Sequence, residues 1–208
     1  MIIRGFWHLY LINHWYSIVT DQLRILITSG LYDASEEINI GCLGSKEERM
    51  MLQRCFINQY PKLRVRYYGA DPTVYEFPTL RLIENMPGEY YGYYFHTKAV
   101  TRPNNSVINH WRAWQNEAIL NNWRFNLKNI QGGHDISGVN FCKSPDHYSG
   151  NFWWFNRRYI EELPKISTLD LKNRFHAEQW IFMSKNVVAF KGNFVEPSKD
   201  VFKMKIDP

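Results

Sequence analysis

A histidine, a hydroxyl and an ammonium group follow one another at His96, Thr97 and Lys98. They come directly after residues 90–95, whose aromatic side chains are typical of a β-strand. Side chains at the end of a strand project from the edge of its sheet, and these three groups could bind a diphosphate, directly or through a divalent ion. The same residue types also fit an ordinary polar loop, so both interpretations stay open.

Three carboxylates could supply a general base, the group that takes a proton from a reacting hydroxyl. Glu178 lies in a predicted helix, Asp146 in a polar loop before a glycine turn, and Asp135 directly after a histidine. For each of them a solvated charge or a helix cap is an equally good interpretation. The residue types therefore give three candidate general bases and favour none of them.

Strand and helix patterns alternate along the first half of the chain. Apolar and aromatic runs predict strands over 2–10, 37–43, 63–68 and 90–95, with helices over 14–29, from Ser45 as a cap to near Gln59, and over 73–85. This alternation is typical of a parallel sheet covered by helices, in which ligands bind at the carboxyl ends of the strands. His96 and its neighbours therefore lie where chemistry is expected.

The second half alternates less regularly. It predicts a helix over 107–128, strands over 134–141 and 150–155, helices over 158–163 and 175–183, and a return to the sheet from residue 187 onward. Gly150 and Asn151 begin an aromatic strand that contains Trp153 and Trp154. Because successive strand residues point to opposite faces, at most one of these two indole rings can line a ligand pocket.

Two segments resemble a known enzyme family. Residues 88–99 resemble the part of GT-A glycosyltransferases in which a strand ends in a metal-binding Asp-x-Asp motif. Here His96-Thr97-Lys98 stands instead of the two aspartates, which is similar to the His-x-Lys segment of rhamnan-synthesis-type glycosyltransferases. Residues 149–160 and 176–181 resemble the acceptor-binding half of the same enzymes. The likeness extends over about residues 70–185, and the chain is similar in size to chlorovirus-encoded glycosyltransferases.

The resemblance implies a GT-A-like, Rossmann-related α/β fold, with a central mixed, mostly parallel sheet flanked by helices on both faces. It implies one domain over 1–208, with a nucleotide-binding half over 1–100 and an acceptor-binding half over 101–208. The implied activity is hexosyl transfer, such as rhamnosyl transfer, from a UDP-sugar to a saccharide or glycoprotein acceptor in glycan synthesis, with Mn²⁺ or Mg²⁺ as the cofactor. The likeness to chlorovirus proteins implies a viral source.

The resemblance also assigns roles to the candidate residues. Glu178 matches the carboxylate of the family's acidic motif and is favoured as the base, with Asp146 and Asp135 as its competitors. His96 could ligate a Mn²⁺ held mainly by phosphate oxygens, or Lys98 could neutralise the diphosphate by itself. The turn and strand residues Gly150, Asn151, Trp153 and Trp154 would bind the substrate.

Two further strand ends are candidates for holding the nucleotide. Asp71 and Tyr75 follow the third strand, where the resembling enzymes hold part of the nucleotide, so Asp71 could bond the base or the ribose and Tyr75 could stack. His8 and Tyr10, at the end of the first strand, would face the same crevice. A histidine or tyrosine at the end of a strand is more often a structural residue than a ligand, so a structural role also stays open.

Composition narrows the classes of protein. The 208 residues fit one domain, 45% hydrophobic and 22% charged residues are ordinary for a folded protein, and 16% aromatic residues favour a carbohydrate or nucleotide ligand. The net charge of +5 is scattered, without the basic stripe of a nucleic-acid-binding protein. Three cysteines without paired spacing predict neither disulfides nor zinc. No segment is apolar enough to insert into a membrane, so a cytoplasmic protein, in the host cytoplasm if viral, is expected.

Other functions fit part of the pattern. A carbohydrate-binding or nucleotide-binding protein without catalysis would share the aromatic content, although carbohydrate-binding modules are usually all-β. A metal phosphohydrolase could use His134 and Asp135, but its companion ligands have no recognisable spacing in this chain. The sequence therefore favours a transferase and keeps a binding protein as the alternative.

Overall fold

The computed structural model describes residues 1–102 and 104–192, and a seven-stranded sheet runs through its centre. The strands along the chain are β1 (Ile3–Leu11), β2 (Glu37–Gly44), β3 (Leu63–Gly69), β4 (Tyr91–His96), β5 (Ile136–Gly138), β6 (Phe141–Cys142), β7 (His147–Tyr148), β8 (Trp153–Asn156) and β9 (Ala189–Phe190). The helices are α1 (Trp15–Thr28), α2 (Leu31–Ala34), α3 (Lys46–Leu52), α4 (Phe77–Asn85), α5 (Ser106–Asn116), α6 (Trp123–Gln131), α7 (Arg157–Ile160) and α8 (Arg174–Gln179).

Six of the seven strands in the sheet run in one direction. Their order is β3-β2-β1-β4-β8-β5-β9, and only β8 is antiparallel to its two neighbours, while β6 and β7 form a separate pair. The predicted α/β class with a mixed, mostly parallel sheet is therefore confirmed. Within this sheet His96, the last residue of β4, pairs with His8 of β1.

Helices cover both faces of the sheet, and each face has its own apolar core. From β1, Trp7 joins the core that contains Leu23 of α1, whereas the preceding residue Phe6 joins the core that contains Leu80 of α4. All four side chains are buried. A slip of one residue in the pairing of β1 would turn each ring to the wrong face, so the two cores together fix the register of the strand.

Two predicted helices contain π-helical turns. The helix expected from Ser45 to near Gln59 consists of α3 and the π-helical Gln53–Ile57, with the Ser45 hydroxyl accepting a hydrogen bond from the backbone of Glu48 at 3.2 Å. The helix expected over 107–128 is divided by the π-helical Glu117–Asn121. Apolar spacing does not reveal such turns, because a π turn adds one residue without ending the helix.

The predicted return of the tail to the sheet is confirmed as far as β9, which pairs with β5, and residues 193–208 lie outside the described residues. In the described ranges, no helix combines the length and the apolar character that a membrane span needs.

The tight contact between β4 and β8 generates a stability prediction. A Cβ at Gly92 would lie 2.0 Å from the Cζ of Phe155, its partner on β8. We expect Gly92→Ala to lower the free energy of unfolding by about 1–3 kcal/mol, because overpacking forces side chains and backbone to shift. Urea denaturation measures this change. In the control Gly132→Ala, the new Cβ would lie 3.2 Å from the Lys128 carbonyl oxygen, and a much smaller effect is expected. Equal losses of unfolding free energy in both variants would contradict the close contact between Gly92 and Phe155.

Candidate functional site

A cavity of about 600 Å³ opens at the carboxyl ends of β1 and β4. It collects residues from strand ends, from the loop after β4, from the turn before β8 and from α8. The predicted site residues that line it are His8, Tyr10, Tyr75, His96, Thr97, Lys98, Gly150 and Glu178. Further residues, which the sequence did not single out, are Glu76, Arg102, Trp111, Arg174 and Phe175.

Thr97, the residue after β4, forms hydrogen bonds to β1. The backbone N–H of Thr97 donates to the carbonyl oxygen of His8 at 3.1 Å, and its hydroxyl oxygen accepts from the backbone N–H of Tyr10 at 2.9 Å. Thr97 is buried, so these bonds are shielded from water. They hold the loop that begins at Lys98 in a fixed position beside β1.

The neighbouring histidine is neutral and has a defined tautomer. His96 Nε2 lies 2.8 Å from the carbonyl oxygen of Gly150, and since a carbonyl can only accept, Nε2 carries the proton. The lone pair of Nδ1 then remains available, 3.9 Å from the Oε1 atom of Glu76. Burial, reinforced by the charge of Lys98, lowers the pKa of His96 to about 3. The imidazole can therefore accept a hydrogen bond through Nδ1 at neutral pH.

His8, the partner of His96 in the sheet, is neutral as well. Burial lowers its pKa to about 4, and the neighbouring His96 acts in the same direction. The Nδ1 atom of His8 lies 2.8 Å from the hydroxyl of Thr79 on α4. Both histidines that line the cavity are thus uncharged at neutral pH.

A buried network orients Glu76, a residue that the sequence analysis did not select. Its Oε2 atom accepts hydrogen bonds from the Tyr94 hydroxyl at 2.5 Å and from the Asn151 side chain at 2.6 Å. Asn151 in turn accepts from the indole nitrogen of Trp153 at 2.7 Å. These bonds use one carboxylate oxygen of Glu76 and turn the other towards His96.

Three cationic side chains line the same cavity. Lys98 is half-buried, and desolvation lowers its pKa, whereas the charges of Glu178 and Glu76 oppose that shift. Its ammonium group lies 4.5 Å from the ring centroid of Trp111 on α5. Arg174, at the start of α8, lies 4.8 Å from the ring of Phe175, and Arg102 adds a third positive charge. The walls thus carry positive charge beside aromatic faces.

Glu178 enters the cavity from α8. The helix is capped by Asn173, whose side chain accepts from the backbone N–H of Phe175 at 3.1 Å. The charge of Glu178 reaches both Lys98 and His96, where it raises the two pKa values against the effect of burial. Within the described ranges its carboxylate accepts no hydrogen bond, which leaves both oxygens available.

Three predicted carboxylates do not line this cavity. Asp71 instead accepts from the backbone and hydroxyl of Thr73, at 2.8 and 2.6 Å, and so caps a short 3-10 turn. Asp135 accepts from the backbone N–H of Val188 at 2.8 Å, next to the pairing of β5 and β9. Asp146 is exposed in the turn between β6 and β7. The structure therefore places Asp71, Asp135 and Asp146 outside the cavity that His96 lines.

The two strand tryptophans are also placed differently from the expectation. Trp153 packs in one core and Trp154 in the other, and neither indole has exposed surface. Both faces of β8 are covered, so neither ring of the pair is left to line a sugar pocket. Asn151 is buried too and reaches the site only through Glu76. Of the predicted turn and strand residues, Gly150 alone lines the cavity.

The donors in the cavity do not fit a resident Mn²⁺ or Mg²⁺. His96 Nδ1 and Glu76 Oε1 are the nearest pair, but no group of three metal-ligating side chains is found in residues 1–102 and 104–192. Imidazole beside a single carboxylate oxygen is also a poor set for Mg²⁺, which prefers several oxygen ligands. The positive charge of this site is supplied by Lys98, Arg102 and Arg174.

Comparisons with known proteins add nothing to what the fold and the cavity themselves show. No family model matches the chain, and no curated protein matches it. Among solved structures, it is similar to 4-diphosphocytidyl-2C-methyl-D-erythritol synthase from Anaerococcus prevotii, with 11% identity, a TM-score of 0.46, and coverage of 97% of this chain and 95% of that one. At this level of similarity no chemistry is transferred from that protein.

The two buried histidines predict a pH dependence of stability. Their pKa values in the folded chain lie near 3 and 4, below the value of about 6.5 in an unfolded chain, so unfolding takes up protons at acid pH. The free energy of unfolding is then highest above pH 6.5. It falls as the pH drops towards 4, by up to about 1.4 kcal/mol per pH unit for each histidine. We expect His96→Gln to flatten this slope in urea denaturation between pH 7 and 4.5. The exposed control His110→Gln should keep the wild-type slope, and an unchanged slope in His96→Gln would contradict a buried neutral imidazole.

Proposed function

We propose that this protein is a glycosyltransferase that moves a sugar from a UDP-sugar donor onto a saccharide acceptor. The observation that carries the proposal is the charge arrangement of the strand-end cavity, where Lys98, Arg102 and Arg174 lie together with Glu178 and Glu76. Glycosyl transfer needs positive charge to stabilise a departing diphosphate and a base to deprotonate the acceptor hydroxyl. One cavity of this chain offers both.

In this proposal the cations bind the diphosphate. Lys98 supports this role best, because it is half-buried and its charge is weakly solvated, which strengthens its interaction with an anion. Thr97 fixes the start of the lysine loop to β1, so that little motion is needed when the anion binds. The donor sugar or base would contact the aromatic faces of Tyr75 and Trp111.

The choice of UDP rests on the sequence resemblance of residues 88–99 to the His-x-Lys segment of rhamnan-synthesis-type glycosyltransferases. Both the predicted nucleotide-binding half and the predicted acceptor-binding half contribute to the cavity. His96 and Lys98 come from residues 1–100, and Trp111 and Glu178 come from residues 101–208. Because the donors among the described residues do not form a metal site, no step of the proposal uses a metal ion.

Glu178 is the base in this proposal, and Glu76 is not. The Oε2 atom of Glu76 already accepts two hydrogen bonds, from Tyr94 and Asn151, so this oxygen is occupied. Glu178 accepts none among the described residues and lies near Lys98, so its oxygens are free to receive the proton of an acceptor hydroxyl. Asp135 and Asp146 lie outside the cavity, which leaves Glu178 as the better of the remaining carboxylates.

The donor assignment is tested first by isothermal titration of UDP, GDP and CMP, with and without Mn²⁺. We expect UDP to bind most tightly, and Lys98→Ala to weaken its binding by about 10- to 100-fold, since a charge-assisted contact contributes roughly 1.5–3 kcal/mol. Lys46→Ala, which removes an exposed lysine on α3, is the control and should bind UDP normally. Failure of every nucleotide to bind would overturn the transferase and favour a carbohydrate-binding protein.

The base assignment is tested with Glu178→Gln, which keeps the shape of the side chain and removes its charge. We expect transfer, followed as UDP release from a panel of UDP-sugars with saccharide acceptors, to fall by about 10²–10⁴-fold while UDP affinity stays within a few-fold. Glu161→Gln, at a side chain with 69% exposure, should leave transfer unchanged. Full transfer by the Glu178 variant would show that another group is the base.

A further inference from the structure

A second cavity, of about 670 Å³, lies beside α4 and the edge strand β3. Its floor and walls come from β3, the 3-10 turn Pro72–Val74, α4 and the loop that contains Leu171. The apolar side chains among its lining include Tyr67, Val74, Phe77, Leu82, Met86 and Leu171. A mostly apolar concavity of this size is typical of small-molecule sites.

The charges around this cavity are all of one sign. Arg66, Arg81 and Lys172 line it, and among the described residues no carboxylate does. Arg66 is paired, because it donates to Glu37 at 2.8 Å and to Asn39 at 2.9 Å. The side chains of Arg81 and Lys172, by contrast, have no hydrogen-bond or ion-pair partner in the ranges 1–102 and 104–192. Two unpaired cations thus stand beside an apolar surface.

We propose that this second cavity binds a small amphipathic anion, a molecule with an apolar body and one phosphate or carboxylate group. The apolar body would bury the surface of Leu82, Met86 and Leu171, which contributes about 25 cal/mol per Å² removed from water. The anionic group would meet Arg81 and Lys172, whose charges no other described side chain neutralises. A bare anion would leave the apolar walls uncovered, and an uncharged apolar molecule would leave both cations without a partner.

Two short segments separate this cavity from the strand-end cavity. In the first segment Thr73 and Val74 line the second cavity, while Tyr75 and Glu76 line the strand-end cavity. The segment 171–175 is divided in the same way, with Lys172 on one side and Arg174 on the other. The bound anion would therefore contact two segments that also line the strand-end cavity. Its binding does not depend on whether the strand-end cavity belongs to a transferase.

The test compares three probes by isothermal titration: octyl phosphate as a monomer, 1-octanol and inorganic phosphate. Octyl phosphate combines the two features that the cavity offers, and the other probes carry one each. We expect octyl phosphate to bind at least about tenfold more tightly than either of them, which corresponds to about 1.4 kcal/mol. Equal affinity for octyl phosphate and octanol would overturn the role of the cations, and no binding of octyl phosphate would overturn the site.

The double variant Arg81→Ala, Lys172→Ala locates the binding. Both side chains are exposed, so the variant should fold, and it should lose the preference for octyl phosphate over octanol. The matched control Arg24→Ala, Lys46→Ala removes two exposed cations on α1 and α3 and should bind as the wild type does. Octyl phosphate binding that survives the double variant unchanged would overturn the proposal.

Vesicles of phosphatidylglycerol distinguish two sources of the same chemistry. Pelleting of the wild type with the vesicles, lost in the Arg81 and Lys172 double variant, would assign the anion to a lipid headgroup with its acyl chain. Binding of octyl phosphate without pelleting would assign it to a free molecule.

Discussion

The parallel pairing of β1 with β4 is the constraint on which the rest of the site depends. It sets His8 beside His96 at the point where β4 ends, and the hydrogen bonds of Thr97 extend the contact by one residue beyond the last ladder pair. This pairing is itself specified by burial, since Phe6 and Trp7 must enter cores on opposite faces. The direction in which Lys98 leaves the sheet is therefore fixed by apolar packing in the strands behind it.

Burial of uncharged polar groups next to cationic side chains gives the cavity its electrostatic character. His96 stays neutral because burial lowers its pKa and the charge of Lys98 acts in the same direction. The Oε2 atom of Glu76 accepts hydrogen bonds from Tyr94 and Asn151. A neutral imidazole adds no repulsion to the cations that line the same cavity. The positive charge is thus concentrated in the lysine loop and at the start of α8, where an anionic ligand can reach it.

The sequence predicted the parts of this site that follow from local order and missed those that follow from tertiary contacts. His96 and Lys98 were identifiable because they come directly after a strand, and chemistry gathers at strand ends. Glu76 carries no such signal, since only the approach of Asn151, 75 residues later, gives it a role. The opposite error concerns Trp153 and Trp154: strand alternation correctly separated their faces, but only the full fold shows that helices cover both.

The two cavities differ in charge although two short chain segments contribute to both. The difference arises because different residues of each segment line the two cavities. Between Thr73 and Glu76 the backbone passes through Tyr75, a residue with a positive φ of 48°, which is uncommon for a bulky side chain. On one side of this backbone position Val74 lines the apolar second cavity. Tyr75 and Glu76, the next two residues, line the polar strand-end cavity. Because both cavities take lining residues from this segment, we expect substitutions in it to affect both of them.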